Sequence, residues 1–141
     1  MAVKDSPVGW VRKHIDRYVE TAGEQGHEWR PGVTTLLLTT KGRRSGEPRR
    51  TALIYQPDGD RHVIVASNGG SNGHPNWYLN LRDNPEVEVQ VGAERFRAHA
   101  RTAKGEERAR LWDLMNEIWP DYTNYQQRTD REIPVVVLER V

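Results

Sequence analysis

Three stretches concentrate the side chains that could do chemistry. Lys41–Arg50, KGRRSGEPRR, sets four guanidiniums, an ammonium and a hydroxyl around two glycines. Such donors suit phosphate or carboxylate oxygens, and glycine lets the backbone come close to a ligand. The order is not that of a GxxxxGK[ST] phosphate loop, and no helix follows it. A solvated hairpin loop is the plain alternative; four arginines within eight residues favour an anion site. The second stretch, Ala66–Tyr78 (ASNGGSNGHPNWY), ends a strand, crosses on glycines and opens a helix at Pro75. Free backbone N–H groups there could hold an anion or polarise a carbonyl. His74 has no second ligand at metal spacing and reads as a loop or capping residue, so no metal site is defined. In the third, Trp119–Tyr125 (WPDYTNY), aromatics at steps of three line one side of a turn or short helix. They read as satellite core or as a lid over a pocket, and the polar QQRTDRE run that follows favours the lid.

No Ser-His-Asp order, catalytic carboxylate pair or HExxH is present. Cysteine is absent, which removes disulfides, thiolate zinc sites and a Cys nucleophile. The chemistry is therefore expected from a cofactor, with the protein supplying binding and orientation. Five Trp and five Tyr against one Phe suit a pocket wall, since both types join a large apolar face to a polar tip, although a plain core explains them too. The chain carries +1, but Lys41–Arg50 alone carries +4 and the remainder −3. A nucleic-acid binder spreads its charge over a face, so nucleic acid is not an expected partner.

At 141 residues, with no low-complexity linker or internal repeat, the chain is expected to form one domain over 1–141, residues 1–30 being an N-terminal helix and loop. Val8, Val11, Ile15, Tyr18, Val19 and Ala22 recur at helical steps, with Ser6-Pro7 as N-cap and first turn. Residues 23–32 read as a loop. Strands are predicted at Thr34–Thr40, Thr51–Gln56, Arg61–Ser67, Val87–Val91, Arg95–Thr102 and Pro134–Leu138, with a hairpin turn at Pro57–Asp60. A short helix starts near Pro75, and a longer one over Lys104–Trp119 carries Leu111, Leu114, Met115 and Ile118 on one face. Six mostly hairpin-joined strands with short flanking helices predict an α+β fold built on an antiparallel barrel.

Lys41–Arg50 with the following strand, Val65–Pro85 and Trp119–Leu138 together resemble the deazaflavin (coenzyme F420)-dependent nitroreductase family of actinobacteria, in the split β-barrel flavin-reductase-like superfamily. The resemblance spans about the last hundred residues and lies in the combination, not in any one stretch. It implies a split β-barrel. It implies that Lys41, Arg43, Arg44, Ser45, Gly46, Arg49 and Arg50 hold the cofactor's phosphate and glutamyl tail. Ala52, Leu53 and Ile54 fall where the family packs the deazaflavin ring and contacts substrate. Ser67, Asn68, Gly69, Gly70 and Trp77 fall in its cofactor-binding segment, and Trp119, Tyr122 and Tyr125 where it places three substrate-pocket tyrosines. Three positions depart from that pattern: Trp119 and Ile54 stand for tyrosines, and Asn68 for a lysine.

The implied reaction is hydride transfer from C5 of reduced F420 to a stacked small planar acceptor, a quinone, enone or nitroaromatic, aligned at ~3–3.5 Å. Water or a pocket hydroxyl supplies the proton, which gives Ser67, Tyr122 and Tyr125 positioning or proton-donating roles. Two alternatives stay open: an FMN-binding split-barrel reductase, and a non-catalytic F420- or lipid-binding protein. No apolar run approaches the ~18 residues of a membrane span and no secretory signal opens the chain, so the expected address is cytoplasmic. The basic loop and N-terminal helix offer a weak contact to anionic lipid, a peripheral association at the inner membrane face. Monomer and homodimer both remain open.

Overall fold

The computed structural model describes residues 3–141. Among them nine strands form a curled sheet: β1 (Lys4–Asp5), β2 (Glu28–Arg30), β3 (Val33–Lys41), β4 (Pro48–Ile54), β5 (Gln56–Asp58), β6 (Arg61–Val65), β7 (Glu86–Val91), β8 (Glu94–Thr102) and β9 (Val135–Arg140). Their order is β1-β4-β3-β7-β8-β9-β6-β5, with β2 added on β3. Every pairing is antiparallel except β1 with β4. The sheet curls until β4 approaches β6 without hydrogen-bonding to it, which leaves the barrel split. Four helices flank it: α1 (Gly9–Glu20), α2 (Asn76–Asp83), α3 (Gly105–Ile118) and α4 (Asp121–Gln127).

Hydrophobic patterning explains which strands are covered on both faces. β7 and β8 alternate, sending Val87, Val89, Phe96, Ala98 and Ala100 into the barrel and charged residues outward. In β3 the run is continuous: Leu36 and Leu38 enter the barrel, while Leu37 packs outside under Ile15 and Tyr18 of α1. β9 does the same, with Val136 and Leu138 inside and Val135 and Val137 beneath Leu111 and Met115 of α3. A strand buried on both faces needs apolar residues at every position, and TTLLLTT and PVVVL meet that need. The Tyr18 hydroxyl donates to Thr35 O (3.0 Å) and accepts from Gly92 N–H (2.7 Å), which pins α1 to the sheet.

Four expectations are corrected. Six strands become nine, because β1, β2 and β5 have two or three residues each, too short to show a pattern. Glu28–Arg30, read as loop, turns at Pro31-Gly32 and pairs with β3, Gly32 taking φ +78°. The Thr51–Gln56 strand does not form a hairpin with Arg61–Ser67; β4 pairs with β3, and the Pro57–Asp60 turn belongs to the short edge hairpin β5–β6. Pro57 is tolerated there because an edge strand can lack one donor. Ser6 is not the N-cap either: Val8 holds that place, and Ser6 Oγ accepts only the Val8 N–H at 3.3 Å.

Candidate functional site

The turn between β3 and β4 is closed by its own backbone, Gly42 N–H to Glu47 O and Gly46 N–H to Gly42 O, both 2.8 Å. That closure sets four arginines around a groove of 520 Å³, whose other walls are Lys4–Val8 and the first turns of α2. The arginines are not equivalent. Arg43 is tied to α2, its backbone N–H and Nη1 donating to Asn80 Oδ1 (3.2 and 2.9 Å) and Nη2 to Asn76 Oδ1 (3.3 Å). Arg50 grips Asp5 through two hydrogen bonds of 2.6 and 3.1 Å. Arg44 has no partner among the described residues, and Arg49 has only a 3.9 Å approach to Glu47. Arg44, Arg49 and Ser45 are therefore the donors left for a ligand. Lys41 and Gly46, expected beside them, line a separate depression with Glu86, Glu88 and Arg97. Thr40, whose hydroxyl accepts from Asn80 Nδ2, lines that depression as well.

Along the same strand, Arg49, Arg50 and Thr51 border the groove, while Ala52, Leu53 and Ile54 border a second cavity of 300 Å³. Val65, Ser67 and Gly69 form another side of it. Gly69 has φ +62° and open space where a side chain would stand, so a flat ring can lie against the backbone. The remaining segment residues divide. Trp77 borders the outer groove, the Asn68 amide turns away to Ser71 Oγ (2.8 Å) and Gly73 O (3.0 Å), and Gly70 is buried against α4.

The aromatic wall is larger than Trp119, Tyr122 and Tyr125. Trp10 of α1 stacks on Trp29 of β2 at 6.0 Å and 21°, and Trp29 meets Trp119 at 5.5 Å. The Arg30 guanidinium lies 4.3 Å from the Trp29 ring and 5.6 Å from that of Trp119. Trp119 Nε1 donates to the Tyr125 hydroxyl at 3.3 Å. Tyr122, only 4% exposed, belongs both to the α3 core and to the pocket wall. Burial, with Tyr125 close by, holds its phenol well above the ordinary value of 10. Ser67 lines the pocket, and its hydroxyl has no protein partner among the described residues.

Val11, His14 and Thr35, with Trp10 and Trp29, complete the wall and were not expected. No local motif marks them; the tryptophan count was the one signal for two. Arg131 was also missed, hidden in a polar run. Its guanidinium donates to the carbonyls of Ser67 (2.7 Å), Ser71 (2.9 Å) and Ala66 (3.2 Å) and lies 3.1 Å from His74 Nδ1. It thereby clasps the glycine-rich segment, and His74 serves that clasp.

A polar groove suited to a long anionic tail thus runs into a flat, aromatic-walled pocket. The family model for F420H(2)-dependent quinone reductases matches residues 10–140. The chain belongs to that family. An F420H(2)-dependent quinone reductase of Mycobacterium tuberculosis is 46% identical over 133 residues, 92% of this chain and 89% of that protein. A solved F420-H2 dependent reductase is 42% identical with TM-score 0.70, covering 74% of this chain and 93% of its own. Another solved structure, a domain-swapped dimer, is 40% identical with TM-score 0.73, over 95% of this chain and all of that one. The family's cofactor is reduced coenzyme F420, and the free donors Arg44, Arg49 and Ser45 with the open backbone at Gly69 fit it.

Proposed function

We propose that this reductase transfers a hydride from reduced F420 to a small planar electron-poor acceptor, a quinone first, with enones and nitroaromatics as further substrates. The observation that carries this reading is β4, which passes from the arginine-lined groove at Arg49 into the aromatic pocket at Ile54. Arg44, Arg49 and Ser45 hold the phosphate and carboxylates of the tail by charge-assisted hydrogen bonds. Ala52–Ile54, Ser67 and Gly69 seat the ring. Trp119, Tyr122, Tyr125, Trp10 and Trp29 stack the acceptor against it and keep water out, so that alignment supplies much of the rate. The bound cofactor supplies the hydride itself; the protein supplies placement and a dry, flat slot.

We assign the reaction to the cytoplasm. No helix among the described residues is long and apolar enough to cross a membrane. The arginines of the basic loop are partly engaged within the protein, Arg43 with Asn76 and Asn80 and Arg50 with Asp5. The test is a fluorescence titration with F420 and with FMN, followed by oxidation of reduced F420 by a soluble naphthoquinone. Tight F420 binding with turnover is expected; FMN binding as tight as F420 overturns the deazaflavin assignment.

A further inference from the structure

A second groove, of 380 Å³, lies on the outer side of the Trp10–Trp29 stack, with Lys13, Arg17 and Glu28 around it. Trp10, His14 and Trp29 wall both this groove and the inner pocket. Indoles do not exchange protons near neutrality, so His14 is the member of the partition that can carry one across. Its Nε2 lies 3.1 Å from Thr35 Oγ1, and Thr35 Oγ1 donates its own hydrogen to Gly26 O at 2.7 Å. Thr35 therefore accepts from His14. The neutral ring keeps its hydrogen on Nε2, and Nδ1 is left to take up and hand on a second proton.

We propose that His14, positioned by Thr35, protonates the acceptor after hydride transfer and reloads from water in the outer groove. The proposal rests on the reductase reading above. Once the acceptor has gained hydride with its electron pair, the negative charge settles on an acceptor oxygen. The Nδ1–H bond of the His14 imidazolium breaks, an O–H bond forms, and neutral His14 takes a fresh proton from solvent. The two hydrogens gained by the acceptor match the two lost by the donor, so the overall reaction consumes no proton. The charged and titratable groups around His14 are Lys13, Arg17 and Tyr18 on its own helix, Glu28 on β2, and Tyr122 and Tyr125 across the pocket. Burial, offset in part by the Gly26 carbonyl, keeps its pKa below the ordinary 6.5. Its imidazolium is therefore a stronger acid than that of a free histidine, and neutral Ser67 and Tyr122 are far weaker ones.

The experiment combines steady-state kinetics of wild type, His14→Gln and Thr35→Val with a histidine NMR titration of the cofactor-free protein. The expected His14→Gln result is a fall in kcat of about 100-fold, loss of the decline in kcat as pH rises, and a larger solvent deuterium isotope effect. F420 affinity and melting temperature stay unchanged. Thr35→Val is expected to lower kcat several-fold and to move the NMR titration of His14 without moving F420 affinity. A wild type inactive with every quinone overturns the reductase reading and the relay together. Active wild type with an unaltered His14→Gln pH profile overturns the relay alone, as does a His14 titration that ignores Thr35→Val.

Discussion

Gly70 lies flush against the backbone of Tyr125: a Cβ at Gly70 would come 2.7 Å from the Tyr125 carbonyl oxygen and 2.9 Å from its Cα, and Gly70 has φ +81°. The glycine-rich segment and the helix bearing the pocket aromatics therefore share one surface. Gly70→Ala is expected to cost about 2–4 kcal/mol, from left-handed strain together with displacement of α4. Gly69→Ala meets open space and costs only the strain, about 1–2 kcal/mol, but its methyl enters the ring slot. Thermal melting beside F420 titration separates them: Gly70→Ala lowers stability most, Gly69→Ala affinity most. Equal melting temperatures would show that α4 does not rest on Gly70.

The four arginines of the β3–β4 turn should divide as their partners do. Arg44→Ala and Arg49→Ala each remove a free donor and are expected to weaken F420 binding about 10- to 100-fold. Arg50→Ala chiefly releases Asp5 and is expected to change affinity much less. Added salt should weaken wild-type binding, since exposed charge contacts are screened. Dissociation constants at low and high salt check both statements, and equal effects at Arg44 and Arg50 would refute the division.

Arg131 is expected to act on the cofactor site without touching the cofactor. Arg131→Gln loses the fan of hydrogen bonds to Ala66, Ser67 and Ser71, at about 1.5–3 kcal/mol. F420 affinity should fall with it, because Ser67 and Gly69 lose their fixed position. Arg131→Lys restores charge but not the three-way fan, so it should recover little. Full affinity in Arg131→Gln would reduce the clasp to a surface contact.

Tyr122 separates stacking from proton donation. Its hydroxyl has no protein partner among the described residues, and burial makes it a weak acid, so Tyr122→Phe should keep kcat within about threefold. Tyr122→Ala empties a buried aromatic site and should cost about 3–5 kcal/mol. Trp29→Ala opens the partition and is expected to raise KM for the acceptor while F420 affinity holds. Parallel kinetics and melting curves decide; a large kcat loss in Tyr122→Phe would make that hydroxyl part of the chemistry.

Stability should fall on the acid side in two stages. His14, His62 and His74 all have pKa values below 6.5, with burial the main cause and, for His74, Arg131 and Arg82 nearby. Above pH 6.5 they are neutral in both states. As pH drops below it, the unfolded chain binds protons that the folded chain resists, and stability declines until the folded values are reached. Asp58 and Glu107 are held at about 2, chiefly by hydrogen bonds from Arg110 and Arg101. Their contribution is complete above the unfolded values of 3.8 and 4.5 and is lost as pH falls toward 2. Urea unfolding at pH 7.5, 5.5 and 3 tests this, and His62→Gln should flatten the first stage.

What could be read from sequence followed from local rules. TTLLLTT and PVVVL show strands buried on both faces, the alternation of Val87–Val91 with Arg95–Thr102 shows a hairpin, and KGRRSGEPRR concentrates charge in one turn. The combination of three segments also pointed to the family, because residues near a ligand are constrained in type wherever the fold brings them. Other features were decided only in three dimensions. Whether an arginine is free or engaged depends on a partner far along the chain: Asp5 for Arg50, Asn80 for Arg43. Trp10, His14 and Trp29 share one cavity with Trp119 and Ile54 because α1 packs on β4 and β2 pairs with β3, the neighbour of β4. Three-residue β2 exists because β3 offers it a partner, not because Glu-Trp-Arg prefers to extend. Periodicity records which way a side chain faces along its own element; which residue it faces is set by long-range packing, and most of the pocket wall depends on that.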